Sequence, residues 1–184
     1  MKRNLRIGEV LTEKGYVTEG QISQALTYQK EHRDMRVGQI LMKLGFVTET
    51  QVLEALASRL QIRIVDVAQL VVNVEAVAMV DKALAEKNLI LPVNIKEHNM
   101  QIVTNDPLNY FALEEVRQQT GCQLEILLSE EAPLKQAISY YFAEVSARKA
   151  AKQANVGFST LVRWMNWKSK IWTTTMMKRR SSAF

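Results

Sequence analysis

Arg6-Ile7-Gly8, Leu11, Gly15-Tyr16-Val17, Ile22, Ala25-Leu26 and Gln29 return thirty residues later as Arg36-Val37-Gly38, Leu41, Gly45-Phe46-Val47, Val52, Ala55-Leu56 and Arg59. Ten of the twenty-four paired positions are identical, and most of the others are conservative. Two copies point to a pair of equivalent half-sites rather than to a solenoid, which needs about three units or more to bury a continuous core. Within each copy the spacing predicts a short helix, a Gly-aromatic-Val turn and a longer helix. Gly8 precedes a helical run over Glu9–Lys14, and Gly15 stands where a C′ glycine ends it. Thr18-Glu19-Gly20-Gln21 is a capping box, with Thr as N-cap and Gln at N3. Ile22, Ala25, Leu26 and Gln29 then share one helical face. Thr48-Glu49-Thr50-Gln51 repeats the box, and Val52, Ala55, Leu56 and Arg59 repeat the stripe. Residues 4–60 are therefore expected to form four helices in two hairpins, joined by a polar connector over Lys30–Met35.

After Gln61 the pattern changes. Ile62–Val65 is a short extended piece, Asn73 caps a helix to about Val80, and Lys82–Lys87 adds a turn or two. Leu89–Ile95 and Met100–Thr104 read as strands around a turn at His98-Asn99. Asn105-Asp106-Pro107 breaks the run, Leu108–Thr120 is a helix ended by Gly121, and Gln123–Leu128 is a third strand. Ser129 is expected to cap a helix from Glu130 to about Phe142. The fold class is thus α+β: a four-helix tandem-repeat layer, then a small α/β layer of three or more strands with helices. The expected domains are 1–60, a ligand-binding pair of hairpins, 61–143, an α+β subdomain, and 144–184, a linker and basic tail.

The net charge of +5 divides unevenly. Residues 1–143 carry 15 basic and 18 acidic side chains, whereas 144–184 carry 9 and 1. Basicity belongs to the tail, so nucleic-acid binding by the fold is not expected, and the tail is the only segment suited to it. One cysteine, Cys122, fits a reducing compartment and excludes an internal disulfide, and with two histidines it makes a structural metal site improbable. No apolar run approaches the roughly 18 residues of a transmembrane helix, and no secretory signal is present. The expected location is cytoplasmic, with peripheral association at the inner membrane as a further expectation.

The chain contains no GxxxxGK[ST] loop, HExxH, paired-cysteine metal spacing or GxSxG, and its carboxylates are scattered. No catalytic or metal-binding residues are expected. The repeated arginines carry the chemistry instead. An Arg before a Gly at a helix start can meet an anion, and a guanidinium forks onto guanine O6/N7 or stacks on a base. Leu11, Ile22 and Leu26 would supply an apolar floor and Gln29 a directional donor and acceptor. On periodicity alone the alternative is a duplicated hairpin whose Arg and Gln are ordinary surface residues.

Both copies resemble the RLGxxLxxxGxLxxxxLxxxLxxQ motif of the N-terminal domain, MshE type, of type II secretion and type IV pilus assembly ATPases. The resemblance continues through Leu91-Pro92-Val93, Thr104–Leu108 and Leu113–Arg117 up to Gly121, covering about residues 3–143. It implies a non-catalytic regulatory module that binds cyclic di-GMP through Arg6, Gly8, Leu11, Ile22, Leu26 and Gln29, then Arg36, Gly38, Leu41, Val52, Leu56 and Arg59. Asp106 matches an acidic residue that reaches the ligand from a second layer. Ile7 and Val37 replace the motif's leucine, Thr12 replaces an aliphatic, and Arg59 stands where a second Gln is expected, so the first half-site is expected to be the complete one. The alternative function is a nucleotide-free docking adaptor for an inner-membrane secretion or pilus platform protein.

The motor that follows this domain in the family is expected to be missing. Shifted by two nucleotides, the codons of Trp164-Met165-Asn166-Trp167-Lys168 must encode Asp-Glu-Leu-Glu, an acidic linker-like run. A frameshift near residues 156–163 would leave a truncated chain with an out-of-frame, disordered tail. The alternative for this tail is a genuine basic amphipathic segment that touches membrane or a partner.

Overall fold

Local capping builds the first half of the molecule, which we describe from a computed structural model covering residues 6–154. Four helices come first: α1 (Ile7–Glu13), α2 (Glu19–Glu31), α3 (Val37–Lys43) and α4 (Glu49–Leu60). Thr18 Oγ1 accepts from Gln21 N and Thr48 Oγ1 from Gln51 N, while each glutamine side chain accepts from its threonine N–H. Both predicted capping boxes are formed. Gly15 and Gly45 take φ of +72° and +73°, the left-handed turn that ends α1 and α3 and that a side chain would strain. The two copies bury matching positions: Leu11 and Leu41, and Ala25 and Ala55, are all at 0% exposure. Periodicity thus becomes a core shared by both hairpins.

The second half contains β1 (Arg63–Ile64), a 3-10 turn (Val67–Gln69), α5 (Val74–Ala78), α6 (Lys82–Asn88), β2 (Ile90–Lys96), β3 (Asn99–Thr104), α7 (Tyr110–Thr120) and β4 (Gln123–Leu128). A last helix, α8, covers 131–154. The sheet order is β1-β4-β3-β2; β2 and β3 are antiparallel, whereas β4 runs parallel to both β3 and β1. Parallel neighbours require a crossover, and α7 supplies it between β3 and β4. The register slips between Pro92 and Asn94, and the Val93 carbonyl instead accepts from Asn73 N at 2.7 Å. Leu128 at the end of β4 is fully buried in the hydrophobic cluster of the helical repeat. The sheet is therefore anchored to the repeat, and the turn after β3 is brought to α3.

Several boundaries differ from expectation. α1 begins at Ile7, not Glu9, and so contains Gly8. A Cβ there would stand 3.3 Å from Ile22 Cδ1, a tight contact to which the isoleucine side chain would have to yield. The hairpin turn falls on Glu97-His98, with Glu97 at φ 54°, one residue earlier than predicted. α7 starts at Tyr110 after Asn109, which accepts from Ala112 N, since Leu108 is held in the preceding turn by Asp106 Oδ1. α8 begins at 131, with Ser129 buried before it, and passes Phe142 to reach 154. Its Ala-, Lys- and Arg-rich end consists of strong helix formers. The chain divides into two compact units at Ala143. The expectations for the tail from residue 155 onward lie outside the described residues.

Tyr16, replaced by Phe46 in the second copy, donates its hydroxyl to Glu54 Oε2 on α4 and ties the two hairpins. That bond, then burial, then the carboxylate's charge, raise its pKa above 10.0. A phenol with a raised folded pKa stabilises in full below its unfolded value, and the contribution is lost as pH rises through the folded value. Tyr16→Phe is expected to remove this part of the alkaline loss of stability. Urea denaturation at about pH 8 and about pH 11 checks it; parallel losses in both proteins would mean that the tie contributes nothing.

Candidate functional site

Arg36 and Arg6 occupy the same place, the N-cap of a short helix. An arginine has no acceptor for the first-turn N–H groups, so only the reciprocal half of a capping box is made. Gln39 Oε1 accepts from Arg36 N at 3.0 Å and Glu9 Oε2 from Arg6 N at 2.8 Å. This fixes both backbones and leaves the guanidinium groups to their surroundings. Arg36 Nη1 donates to Asp106 Oδ1 and Nη2 to the Leu108 carbonyl at 3.0 Å. Asp106 is itself set by the turn after β3: its N–H donates to Thr104 Oγ1 at 3.2 Å, and Oδ1 accepts from Leu108 N at 3.1 Å. Both charges of the pair remain partly exposed. Arg6 is exposed and makes no side-chain bond to the described residues.

Around Arg36 lies a cleft of about 390 Å³. It gathers six of the sequence-predicted residues: Gln29, Arg36, Gly38, Val52, Leu56 and Asp106. Gly38 is buried between the hairpins, and a Cβ there would come within 3.2 Å of Val52 Cγ1. Gln29 reaches in from the first copy and donates through Nε2 to the Met35 carbonyl at 2.9 Å. A depression of about 350 Å³ lies at the equivalent place in the first copy, lined by Gly8, Glu9, Thr12, Glu13, Glu19 and Ile22. Five of the six residues thirty positions later (Gly38, Gln39, Met42, Glu49 and Val52) line the larger cleft. The duplication in sequence is therefore a duplication of hollows.

The two hollows differ in charge. Among the described residues the smaller hollow has three carboxylates and no cation, while the larger holds Arg36. Leu11 and Leu41, expected to touch a ligand, line neither hollow and are fully buried in the core beneath. Leu26 is 45% exposed and, like Arg6 and Arg59, lines neither. Arg59 is half-buried, and its buried Nε has no acceptor among the described residues. Ile7, Met42, Glu49, Asn105 and Glu131 also line the cleft. Of these, Met42 and Glu49 are legible in retrospect as the repeat partners of Thr12 and Glu19.

A third hollow, about 450 Å³, lies between α7 and β4 beside Tyr110 and Phe111, the latter 91% exposed. Its two ionic residues, Glu114 and Arg117, pair with each other at 3.0 Å. Among the described residues no group of three or more His, Cys, Asp or Glu is placed to hold a metal, and no helix is long and apolar enough to cross a membrane.

This architecture is similar to that of MshE solved with cdg, cyclic di-GMP: the TM-score is 0.68 and the identity 31%, over 74% of this chain and 99% of that one. The chain belongs to the MshEN domain family. The MshEN domain model matches residues 60–148, beginning where the tandem repeat ends. The N-terminal domain of XpsE shares the MshEN fold with a TM-score of 0.62 at 23% identity, over 73% of this chain and 92% of that one. The type IV pilus assembly ATPase PilB of Myxococcus xanthus (strain DK1622) is 33% identical over 73 residues, 40% of this chain and 13% of PilB. This MshEN chain thus spans only a small part of that ATPase's length.

Proposed function

We propose that this MshEN protein binds cyclic di-GMP and thereby regulates a secretion or pilus assembly ATPase, without itself catalysing a reaction. The observation that carries this reading is the cleft that joins Arg36, Gly38, Gln29, Val52, Leu56 and Asp106 in a fold similar to the cyclic di-GMP-bound relative. A guanidinium beside an apolar wall suits a ligand with phosphates and flat bases, since Arg both forks onto phosphate and stacks on rings. The cleft also falls within the size range of small-molecule sites, roughly 300–1,000 Å³. The smaller hollow, Gly8 and Ile22 included, would receive the second half of such a ligand. With no phosphate-cradling loop in the sequence, the chain is proposed to sense a nucleotide rather than turn one over.

Titration calorimetry of the full chain with cyclic di-GMP tests this, with binding at micromolar or lower concentration as the expected result. Absence of heat at that level sinks the reading. The docking-adaptor reading would then lead, favoured by the exposed Tyr110 and Phe111 beside the α7–β4 hollow, where an inner-membrane platform protein would seat.

A further inference from the structure

The cleft is a poor site for phosphate along much of its wall. Among the described residues its ionic lining is Arg36, Asp106, Glu49 and Glu131, and the guanidinium is already bonded to Asp106. Two carboxylates remain, on elements far apart in sequence. Glu49 belongs to the same α4 face as Val52, Leu53 and Leu56, at i, i+3, i+4 and i+7, so its carboxylate continues the apolar wall by one turn. It is also held in place: Glu49 Oε1 accepts from Glu131 N, in the first turn of α8, at 2.6 Å. Glu49 Oε2 has no donor among the described residues.

A fixed carboxylate with an open oxygen repels phosphate and attracts paired donors. Guanine is the purine whose Watson–Crick edge presents adjacent donors, N1–H and N2–H₂. Adenine places an acceptor at N1, which a carboxylate disfavours. We propose that Glu49 reads the guanine edge of the ligand, with the phosphates on the Arg36 and Gln29 side, so that Glu49 sets the preference for guanine over adenine. This rests on the cyclic di-GMP reading above and assigns Glu49 a part in it as a specificity-determining residue.

The test uses Glu49→Gln in the full chain, titrated with cyclic di-GMP and with cyclic di-AMP beside the unaltered protein. The carboxamide keeps an oxygen for Glu131 N–H, so α8 retains its tie, and it turns the open oxygen into a donor. Affinity for cyclic di-GMP is expected to fall about tenfold or more, as for a lost bidentate base contact. Affinity for cyclic di-AMP is expected to hold or rise, with the melting temperature unchanged. Unaltered cyclic di-GMP affinity in the variant would overturn the role of Glu49 while leaving the proposed function standing. Equal losses for both ligands with a lowered melting temperature would overturn it too, as the mark of a structural residue. Failure of the unaltered protein to bind cyclic di-GMP removes both proposals.

Discussion

Arg36→Ala is expected to weaken cyclic di-GMP binding by about 10- to 100-fold, the loss of charge-assisted hydrogen bonds worth about 1.5–3 kcal/mol. Arg6→Ala is expected to do less. Both arginines stand at the N-caps of equivalent helices, yet Arg36 lines the cleft in contact with Asp106 and Leu108, whereas Arg6 lines neither this cleft nor the smaller hollow. The variant also loses the tie between α3 and the turn after β3. Because that pair is 42% and 30% exposed, the effect on stability stays at about 1 kcal/mol or below. Arg36→Lys keeps the charge but not the fork and is expected to recover only part of the affinity. Calorimetry beside urea denaturation separates the two effects. If Arg36→Ala binds as tightly as the unaltered protein, Arg36 is a structural tie and the ligand-binding reading of the cleft fails.

Leu41→Ala carries the larger effect on stability, about 3 kcal/mol, within the 2–5 kcal/mol found for large-to-small changes at sites that cannot collapse. Leu41 is at 0% exposure on a seven-residue helix, and its carbonyl accepts from Phe46 N at 2.9 Å, so the backbone around any cavity is pinned by the turn. For a chain of this size the midpoint of thermal unfolding should drop by about 6–12 °C. Leu11→Ala, at the equivalent buried position, should match it closely. A clearly smaller loss at either site would show that the two copies do not share a load-sharing core.

What could be read from the residues was what neighbours in the chain determine. The capping boxes at Thr18 and Thr48 and the left-handed glycines 15 and 45 depend on contacts within a few residues and formed as expected; the apolar stripe of α4 is buried, whereas on α2 Leu26 is left 45% exposed. Arg36 and Asp106 stand 70 residues apart, and Glu49 reaches an N–H that is 82 residues on. No period announces such pairings, because the order of strands decides them. Leu11 and Leu41 show the opposite difficulty. An aliphatic residue facing a ligand and one facing the core carry the same signal, and on a short helix packed on both sides the core claims it. α8 exceeds its expected length because an alanine- and lysine-rich stretch suits a linker by composition and a helix by propensity.

Gln29 gives the cleft a property that affinity measurements would carry in concealed form. Its Nε2 already donates to the Met35 carbonyl, just as Arg36 already serves Asp106 and Leu108. Each group spends only part of its donor set this way: Arg36 keeps three further N–H bonds and Gln29 one, so a nucleotide entering here meets donors already aimed by the protein's own chain. Recognition then draws on pre-organisation, since the side chains that would bind are ordered before the ligand arrives. Apolar surface withdrawn from water at Val52 and Leu56 would add to these bonds, marked by a negative heat-capacity change. The connector between the two copies, tied to Gln29 at Met35, is thus part of what holds that side chain ready.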